Sequence, residues 1–148
     1  MGGALGSGAV SEPSPVDYAN LLRFRTALRR FDAWSHAQAA EVGLTHAQHQ
    51  LLLAVKGHPD PDGPTIGEVA DYLNVRHHSA VGLVDRVERA GLLRRVRDAA
   101  DARAVRLLLT ADGEDRIARL TELHLAELSR LAPLLEHLVA EHDHHGGD

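Results

Sequence analysis

The chain contains no cysteine among its 148 residues, and this absence removes several kinds of chemistry. Without a thiol there is no disulfide, no thiolate zinc site, no thiol nucleophile and no redox switch built on sulfur. Long apolar runs are also missing, since the longest, Leu51 to Val55, is far shorter than the ~20 residues of a membrane-spanning helix. No basic residue precedes Ala4 and Leu5, so a secretory signal is not expected. We therefore expect a cytoplasmic protein without membrane attachment.

Motifs of the common enzyme classes are absent as well. The sequence has no Gly-rich phosphate loop, no nucleophile elbow and no paired-histidine metalloprotease motif. Its many carboxylates stand singly on expected solvent faces. We therefore predict no enzymatic activity, no catalytic residue, no cofactor and no metal site.

Basic residues are in the minority, with 16 Lys and Arg against 21 Asp and Glu and a formal charge of -5. This balance excludes a wholly basic nucleic-acid coat protein. The charge is uneven, however. Residues 76–106 hold eight arginines and four acidic residues, a net of +4, whereas residues 111–148 hold three arginines and nine acidic residues, a net of -6. A local positive patch of this kind binds phosphates in a salt-dependent way.

The two ends of the chain are expected to be helical, with a tail beyond each. Residues 1–15 are rich in Gly, Ser and Pro and are expected to be a disordered tail. Residues 16–57 are predicted to form two helices, the second capped by Thr45. Residues 111–141 carry another helical apolar stripe, which Pro133 is expected to divide into two helices. Residues 142–148 are expected to be a flexible tail.

The segment of residues 65–110 has the order helix, short turn, helix, hairpin. Thr65 opens a short helix with helical apolar periodicity, and a second such helix stops at Gly91. Two runs rich in Val and Leu follow, Leu92 to Val96 and Val105 to Leu109, with a long polar loop between them. This order predicts a winged helix-turn-helix domain within a fold that is mainly α with a small β-hairpin wing.

The second helix of this domain has the composition of a DNA recognition helix. Such a helix needs polar, short or planar side chains at its N-terminal end in order to enter the major groove. A hairpin loop beside it can reach a neighbouring groove with an arginine, and Arg103 is the arginine that we expect there. The N-terminal side chains that meet the first requirement are Arg76, His77, His78 and Ser79.

Several landmarks in register resemble the MarR (multiple-antibiotic-resistance regulator) family of bacterial transcription factors. The resemblance covers roughly residues 17–140 and implies a homodimer built from the first and last helices. It also implies that Asp101 orients structure at the base of the wing hairpin, and that Arg103 inserts into the minor groove. The landmarks are LVDRVERAGLL at residues 83–93, then Arg95, then Asp101-Ala102-Arg103, then LTADG at residues 109–113.

Gly82 departs from the family pattern, which usually has polar residues at the positions of Val81 and Gly82. The pattern also has a capping hydroxyl near the position of Arg76. A glycine inside a helix costs roughly 1 kcal/mol relative to alanine, so Gly82 indicates a close approach to DNA or to a packed neighbour. The predicted DNA-binding residues are Arg76, His77, His78, Ser79, Gly82, Arg86, Arg95, Arg97, Asp101 and Arg103.

The family resemblance further implies a small aromatic or anionic ligand that weakens DNA binding from a crevice beside the winged domain. Aromatic walls with a few polar groups suit such ligands, although simple packing in the dimer core is an alternative use of the same residues. The residues expected to line this crevice are Phe31, Trp34, His46 and His49. The residues expected at the dimer interface are Leu21, Phe24, Leu28, Leu128, Leu131, Leu135 and Leu138.

Two other functions remain open. A metal-responsive regulator is one, because His46 and His49 lie one turn apart and His124 can approach them, but no cysteine or acidic pair completes a tetrahedral set. A winged-helix module that binds a protein instead of DNA is the other, and it would not need Arg103. The favoured prediction is a homodimer that binds double-stranded DNA at a pseudo-palindromic operator, represses by default and is released by a ligand.

Overall fold

The structure is a computed structural model that describes residues 12–144 of the chain and the side chains of residues 12–141. It confirms a mainly helical fold with a two-stranded antiparallel hairpin. Most of the predicted N-terminal tail lies outside the described residues, but the first helix already begins at Pro15. The elements are α1 (Pro15–Glu41), α2 (His46–Gly57), α3 (Ile66–Leu73), α4 (His77–Arg89), β1 (Leu93–Arg97), β2 (Val105–Leu109) and α5 (Ala111–His144).

Capping boxes set the starts of the first three helices. Ser14, Thr45 and Thr65 each accept a hydrogen bond from the backbone N–H three residues later, and that residue's side chain accepts one from the cap N–H. The predicted helix starts at Thr45 and Thr65 are confirmed. Asn74 ends α3 with a left-handed φ of 52°, which asparagine tolerates, and the chain enters α4 three residues later.

One apolar core joins the winged part of the chain to its neighbouring helices. α2 and α4 pack on each other and on the hairpin, and the first turns of α5 close the core from the other side. Burial of each large side chain stabilises the fold by roughly 1.5–3 kcal/mol. The fully buried members include Leu51, Leu52, Val84, Val87, Leu107, Ile117 and Leu120.

A third extended segment pairs with strand β2 of the wing hairpin. Strands β1 and β2 pair from Leu93↔Leu109 to Arg97↔Val105. In addition, Thr65 forms a bridge with Arg106, and the Leu107 N–H donates a hydrogen bond to the Pro64 carbonyl at 2.9 Å. Sequence periodicity could not predict this short pairing, because it involves too few residues to show alternation.

The last helix differs from the prediction in two ways. α5 runs without a break, so the expected division at Pro133 is wrong. Proline removes the hydrogen bond to the Ser129 carbonyl, but both residues are exposed and water can take the missing donor's place. The helix also continues to His144, into the segment that was predicted to be a tail, while residues 145–148 lie outside the described part.

Candidate nucleic-acid interface and ligand cavity

The first turn of α4 is exposed while the opposite face of the helix is fixed in the core. Arg76 is the N-cap residue and makes no side-chain capping hydrogen bond, which leaves its guanidinium exposed. The apolar residues Ala80, Val84 and Val87 are fully buried behind it. The amphipathic helix therefore holds its polar face outward. The exposed predicted residues on this face are His77, His78, Ser79 and Arg86.

Gly82 has free space around it. A Cβ built at this position would meet only the Arg86 Nη2, at 3.7 Å, among the described atoms within 4 Å. The sequence offered two explanations for this helical glycine, a close approach to DNA or a packed neighbour. The described residues place no tightly packed neighbour at this position, which leaves the approach to DNA. The α4 backbone at Gly82 remains accessible from outside the chain.

Arg95, predicted to contact DNA, is engaged inside the chain. Its Nη2 lies 2.6 Å from the Asp85 carboxylate, and its Nη1 lies 2.5 Å from the Glu88 carboxylate. Glu88 also accepts a hydrogen bond from the Arg95 backbone N–H at 3.1 Å. These hydrogen bonds, that to Asp85 first, raise the pKa of Arg95. The guanidinium thus fastens β1 to α4.

The base of the wing is held by Asp98 and Arg106 rather than by Asp101. Arg106 Nε donates to Asp98 Oδ2 at 2.9 Å, and Arg106 Nη1 donates to the Gly63 carbonyl at 3.0 Å. The Ala100 N–H and the Arg106 guanidinium lower the pKa of Asp98. Asp98 and Arg106 therefore hold the two ends of the wing loop together, a structural role like the one that the family resemblance implied for Asp101. Sequence analysis missed it, although Asp98 and Arg106 flank the loop.

Asp101 lies in the turn at the wing tip, next to Arg103. Its Oδ1 accepts a hydrogen bond from the Arg103 backbone N–H at 3.0 Å and lies 3.6 Å from Arg103 Nε. The Arg103 side chain is 95% exposed. A pair this exposed contributes ~0 to 1 kcal/mol, so the guanidinium is available to an external partner.

The internal pairs decide which cations of residues 76–106 remain at the surface. Asp85 and Glu88 face Arg95, and Asp98 faces Arg106, so three of the four acidic residues are matched by two arginines of the same segment. The surplus positive charge therefore sits on the exposed arginines around α4 and the wing. These are Arg76, Arg86, Arg89, Arg94, Arg97 and Arg103.

A cavity of about 480 Å³ lies where α1, α2 and α5 meet. Three of the four predicted ligand-binding residues line it: Phe31, His46 and His49. Trp34 packs beside them, with its ring centroid 5.8 Å from that of Phe31 and 4.8 Å from that of His124. The structure thus brings the four predicted ligand-binding residues together and places His124 among them.

Both ring nitrogens of His124 make hydrogen bonds within the chain. Its Nδ1 lies 2.6 Å from the Leu120 carbonyl, which can only accept, so Nδ1 carries the proton. Its Nε2 lies 2.7 Å from the Ser35 hydroxyl, within hydrogen-bond distance. Sequence analysis did not single out Ser35, because nothing in the sequence shows that α1 and α5 meet there.

Two other histidines of the cavity each have a ring nitrogen that makes no hydrogen bond to the described residues. The Nδ1 atoms of His46 and His49 are buried and have no hydrogen-bond partner among the described residues. Burial, then His124 and then His46, lower the pKa of His49 to about 4. Burial, followed by His36, also lowers the pKa of His46. Near neutral pH the cavity therefore offers uncharged nitrogen atoms that can bind a hydrogen-bonding ligand.

The chain is similar to the model of one protein family and to several solved structures. Residues 42–104 match the model of the MarR family. This segment, which runs from the end of α1 into the wing loop, is therefore similar to the MarR family. Among curated proteins the comparison finds no match.

Solved MarR-family structures share the fold over most of their length. The MarR family transcription regulator SP03579 is 25% identical, with a TM-score of 0.70 over 85% of this chain and 83% of that one. Wild-type MarR from E. coli, in its apo form, is 20% identical, with a TM-score of 0.64 over 80% and 92%. The S. aureus MepR–DNA complex is 20% identical, with a TM-score of 0.64 over 80% and 87%.

The helices that flank the winged domain leave an apolar surface exposed. Leu21 is 58% exposed and Leu28 is 45% exposed on α1, while Leu128 is 44% exposed on α5. Phe24 is 38% exposed. By contrast Leu138 is 7% exposed and already buried within the chain. The other predicted interface residues, Leu131 and Leu135, are half-buried.

No helix within residues 12–144 is long and apolar enough to cross a membrane.

Acid should destabilise the protein through His49. The folded chain holds the pKa of His49 at about 4, below its usual value of 6.5. The unfolded chain therefore binds a proton between these pH values that the folded chain does not, so stability falls as the pH falls through this window. We expect a loss on the order of 2 kcal/mol from this group. Urea unfolding at several pH values should show a shallower dependence for His49→Leu, and equal slopes would contradict this assignment.

Proposed function

We propose that the protein is a sequence-specific DNA-binding transcription regulator that represses by default. The observation that carries this proposal is the charge arrangement at α4 and the wing. Acidic residues there are neutralised by Arg95 and Arg106, whereas six other arginines stay exposed on the same segment. Exposed arginines of this kind bind phosphates. The DNA complex of the related S. aureus MepR supports the same function.

The proposed roles follow from what each side chain leaves exposed. α4 enters the major groove, where His77, His78 and Ser79 contact base edges. Gly82 allows the helix backbone to approach the duplex, since the space beside it is free. Arg103 at the wing tip enters the minor groove. Arg76, Arg86 and Arg97 contact phosphates, whereas Arg95 only positions the wing against α4.

We further propose that two copies associate through the apolar faces of α1 and α5. Residues 16–57 then supply a dimerisation helix and the start of the DNA-binding lobe. Residues 111–141 supply the C-terminal dimerisation helix, and residues 65–110 supply the winged helix-turn-helix DNA-binding domain. A two-fold dimer places its two recognition helices on half-sites ~34–36 Å apart, which gives a pseudo-palindromic operator. The exposed leucines of α1 and α5 are the supporting observation, because monomers rarely leave a large contiguous apolar patch in water.

The double variant Leu21→Glu/Leu128→Glu should separate the dimer into monomers. Two charges per protomer would have to be buried in an apolar interface, which we expect to raise the dimer dissociation constant at least roughly a hundredfold, about 2.7 kcal/mol. Sedimentation equilibrium measures this constant. Val75→Glu is the matched control, because Val75 is 42% exposed but lies outside α1 and α5. A double variant that dimerises as the wild type does would refute this interface.

The cavity suits an uncharged aromatic ligand. Its described lining contains no Lys or Arg, and Asp32 contributes a carboxylate to it, so an anion would meet no opposite charge. Phe31 supplies an apolar wall, and the free nitrogen atoms of His46 and His49 supply hydrogen-bonding groups. A ligand here touches α1 and α2 together, and by favouring one relative placement it would change the spacing of the recognition helices.

The test of DNA binding is a salt titration of fluorescence anisotropy. Full-length protein is titrated against the duplex upstream of its own gene and against a scrambled duplex of equal length. We expect tighter binding to the upstream duplex, with an affinity that falls linearly as log[salt] rises. Equal and weak binding to both duplexes would favour the alternative, a winged-helix module that binds a protein.

A further inference from the structure

Three potential metal ligands converge at the junction of α1 and α2. Asp32 and His36 lie one turn apart on α1, and His46 is the first residue of α2. One donor atom from each lies within 4.8 Å of the other two. Asp32 Oδ2 is 3.7 Å from His36 Nε2, and Asp32 Oδ1 is 3.8 Å from His46 Nε2. The two imidazole rings are stacked, with centroids 3.8 Å apart.

The distances fit ligands that share an ion better than ligands that bond each other. Separations of 3.7 and 3.8 Å are too long for hydrogen bonds. Ligands of a tetrahedral zinc ion, at ~2.0–2.2 Å from the metal, lie about 3.4 Å from one another. Small side-chain rotations would therefore bring the three donors onto one centre.

We propose that Asp32, His36 and His46 bind one divalent transition-metal ion of the zinc class. Two imidazole nitrogens and one carboxylate oxygen suit Zn²⁺, Ni²⁺ or Co²⁺, whereas Mg²⁺ and Ca²⁺ prefer oxygen ligands. The side chains of Asp32, His36 and His46 are 64%, 53% and 30% exposed, so an ion can enter and water can complete its coordination.

This set differs from the histidines that spacing alone suggested. His124 is occupied on both ring nitrogens, by Ser35 and by the Leu120 carbonyl, so it is not available as a ligand without losing these bonds. His46 is the only member common to both sets. An ion bound by Asp32, His36 and His46 would tie α1 to the start of α2, and so would join the proposed dimerisation helix to the winged domain.

The site can be tested by titrating full-length protein with Co²⁺ and following the visible absorption, with Zn²⁺ as competitor. Because His142, His144 and His145 can chelate metal adventitiously, all three are replaced by Ala in the parent protein. We expect one ion per chain with a micromolar dissociation constant. His36→Ala and Asp32→Asn should each weaken binding at least tenfold, and both positions are exposed enough to leave folding intact.

The matched control is His137→Ala. His137 is an exposed histidine on α5 with a carboxylate partner, Glu141, at the same i, i+4 spacing, but the described residues place no third potential metal ligand beside this pair. It should bind Co²⁺ as the parent does. Parent protein that binds no ion in the micromolar range, or His36→Ala that binds as tightly as the parent, would overturn the proposal. Binding that disappears with the tail histidines would mean adventitious chelation and would also overturn it.

Discussion

Gly113→Ala should reduce the free energy of unfolding by at least ~3 kcal/mol, although glycine-to-alanine changes inside helices normally stabilise by up to ~1 kcal/mol. A Cβ on Gly113 would lie 2.0 Å from the Leu92 carbonyl oxygen. That oxygen also accepts a hydrogen bond from the Thr110 N–H at 3.1 Å, so it is fixed from a second direction. The first turn of α5 would have to move away from the start of the wing, which disrupts the core.

Urea unfolding of two single variants, Gly113→Ala and Gly67→Ala, measures the free energy that this close contact costs. Gly67 lies in α3, where a new Cβ would meet the Thr65 hydroxyl at 3.8 Å, an ordinary van der Waals contact. We expect Gly67→Ala to be as stable as the wild type, or slightly more stable. The close approach would be refuted by a Gly113→Ala protein whose stability equals that of Gly67→Ala.

Arg103→Ala should weaken binding to every duplex by roughly tenfold or more, about 1.4 kcal/mol. The side chain is 95% exposed and its partner Asp101 is too exposed to hold it, so it is free to enter a groove. Loss of one cationic contact should also flatten the dependence of log affinity on log[salt] by about one unit per protomer. Anisotropy titrations at several salt concentrations measure both effects.

Arg119→Ala is the matched control for the wing. Arg119 is exposed on α5 in a depression where three acidic residues outnumber two arginines, so the site has no surplus positive charge to attract phosphates. The charged residues of its lining are Asp112, Asp115, Arg116, Arg119 and Glu122. Its replacement should leave affinity and salt dependence unchanged. If Arg103→Ala binds DNA as tightly as Arg119→Ala at every salt concentration, the wing does not contact the duplex.

Local signals in the sequence predicted the helices and the hairpin. The hydroxyls of Thr45 and Thr65 announce helix starts because capping involves residues only three positions apart. Pro133 misled the prediction, because the cost of proline depends on whether water reaches the orphaned carbonyl, and exposure is a tertiary property. The pairing of Thr65 with Arg106 joins residues far apart in the chain, so no local pattern shows it.

Some functional residues could likewise be predicted from local sequence, whereas others depend on how the elements pack. The exposed first turn of α4 follows from its own amphipathic pattern, and the sequence was enough to find it. The pairing of Arg95 with Asp85 and Glu88 depends on how β1 lies against α4, so composition alone counted this arginine among the DNA contacts. Likewise, Ser35 and His124 meet only when α1 packs on α5.

The central claim is that two copies of the chain recognise a specific DNA sequence through α4. The most direct measurement is selection of bound duplexes from a random pool by the full-length protein, followed by sequencing. We expect enrichment of a pseudo-palindrome whose half-sites lie ~10 base pairs apart, centre to centre. Recovery of the random pool without any enriched sequence would contradict it.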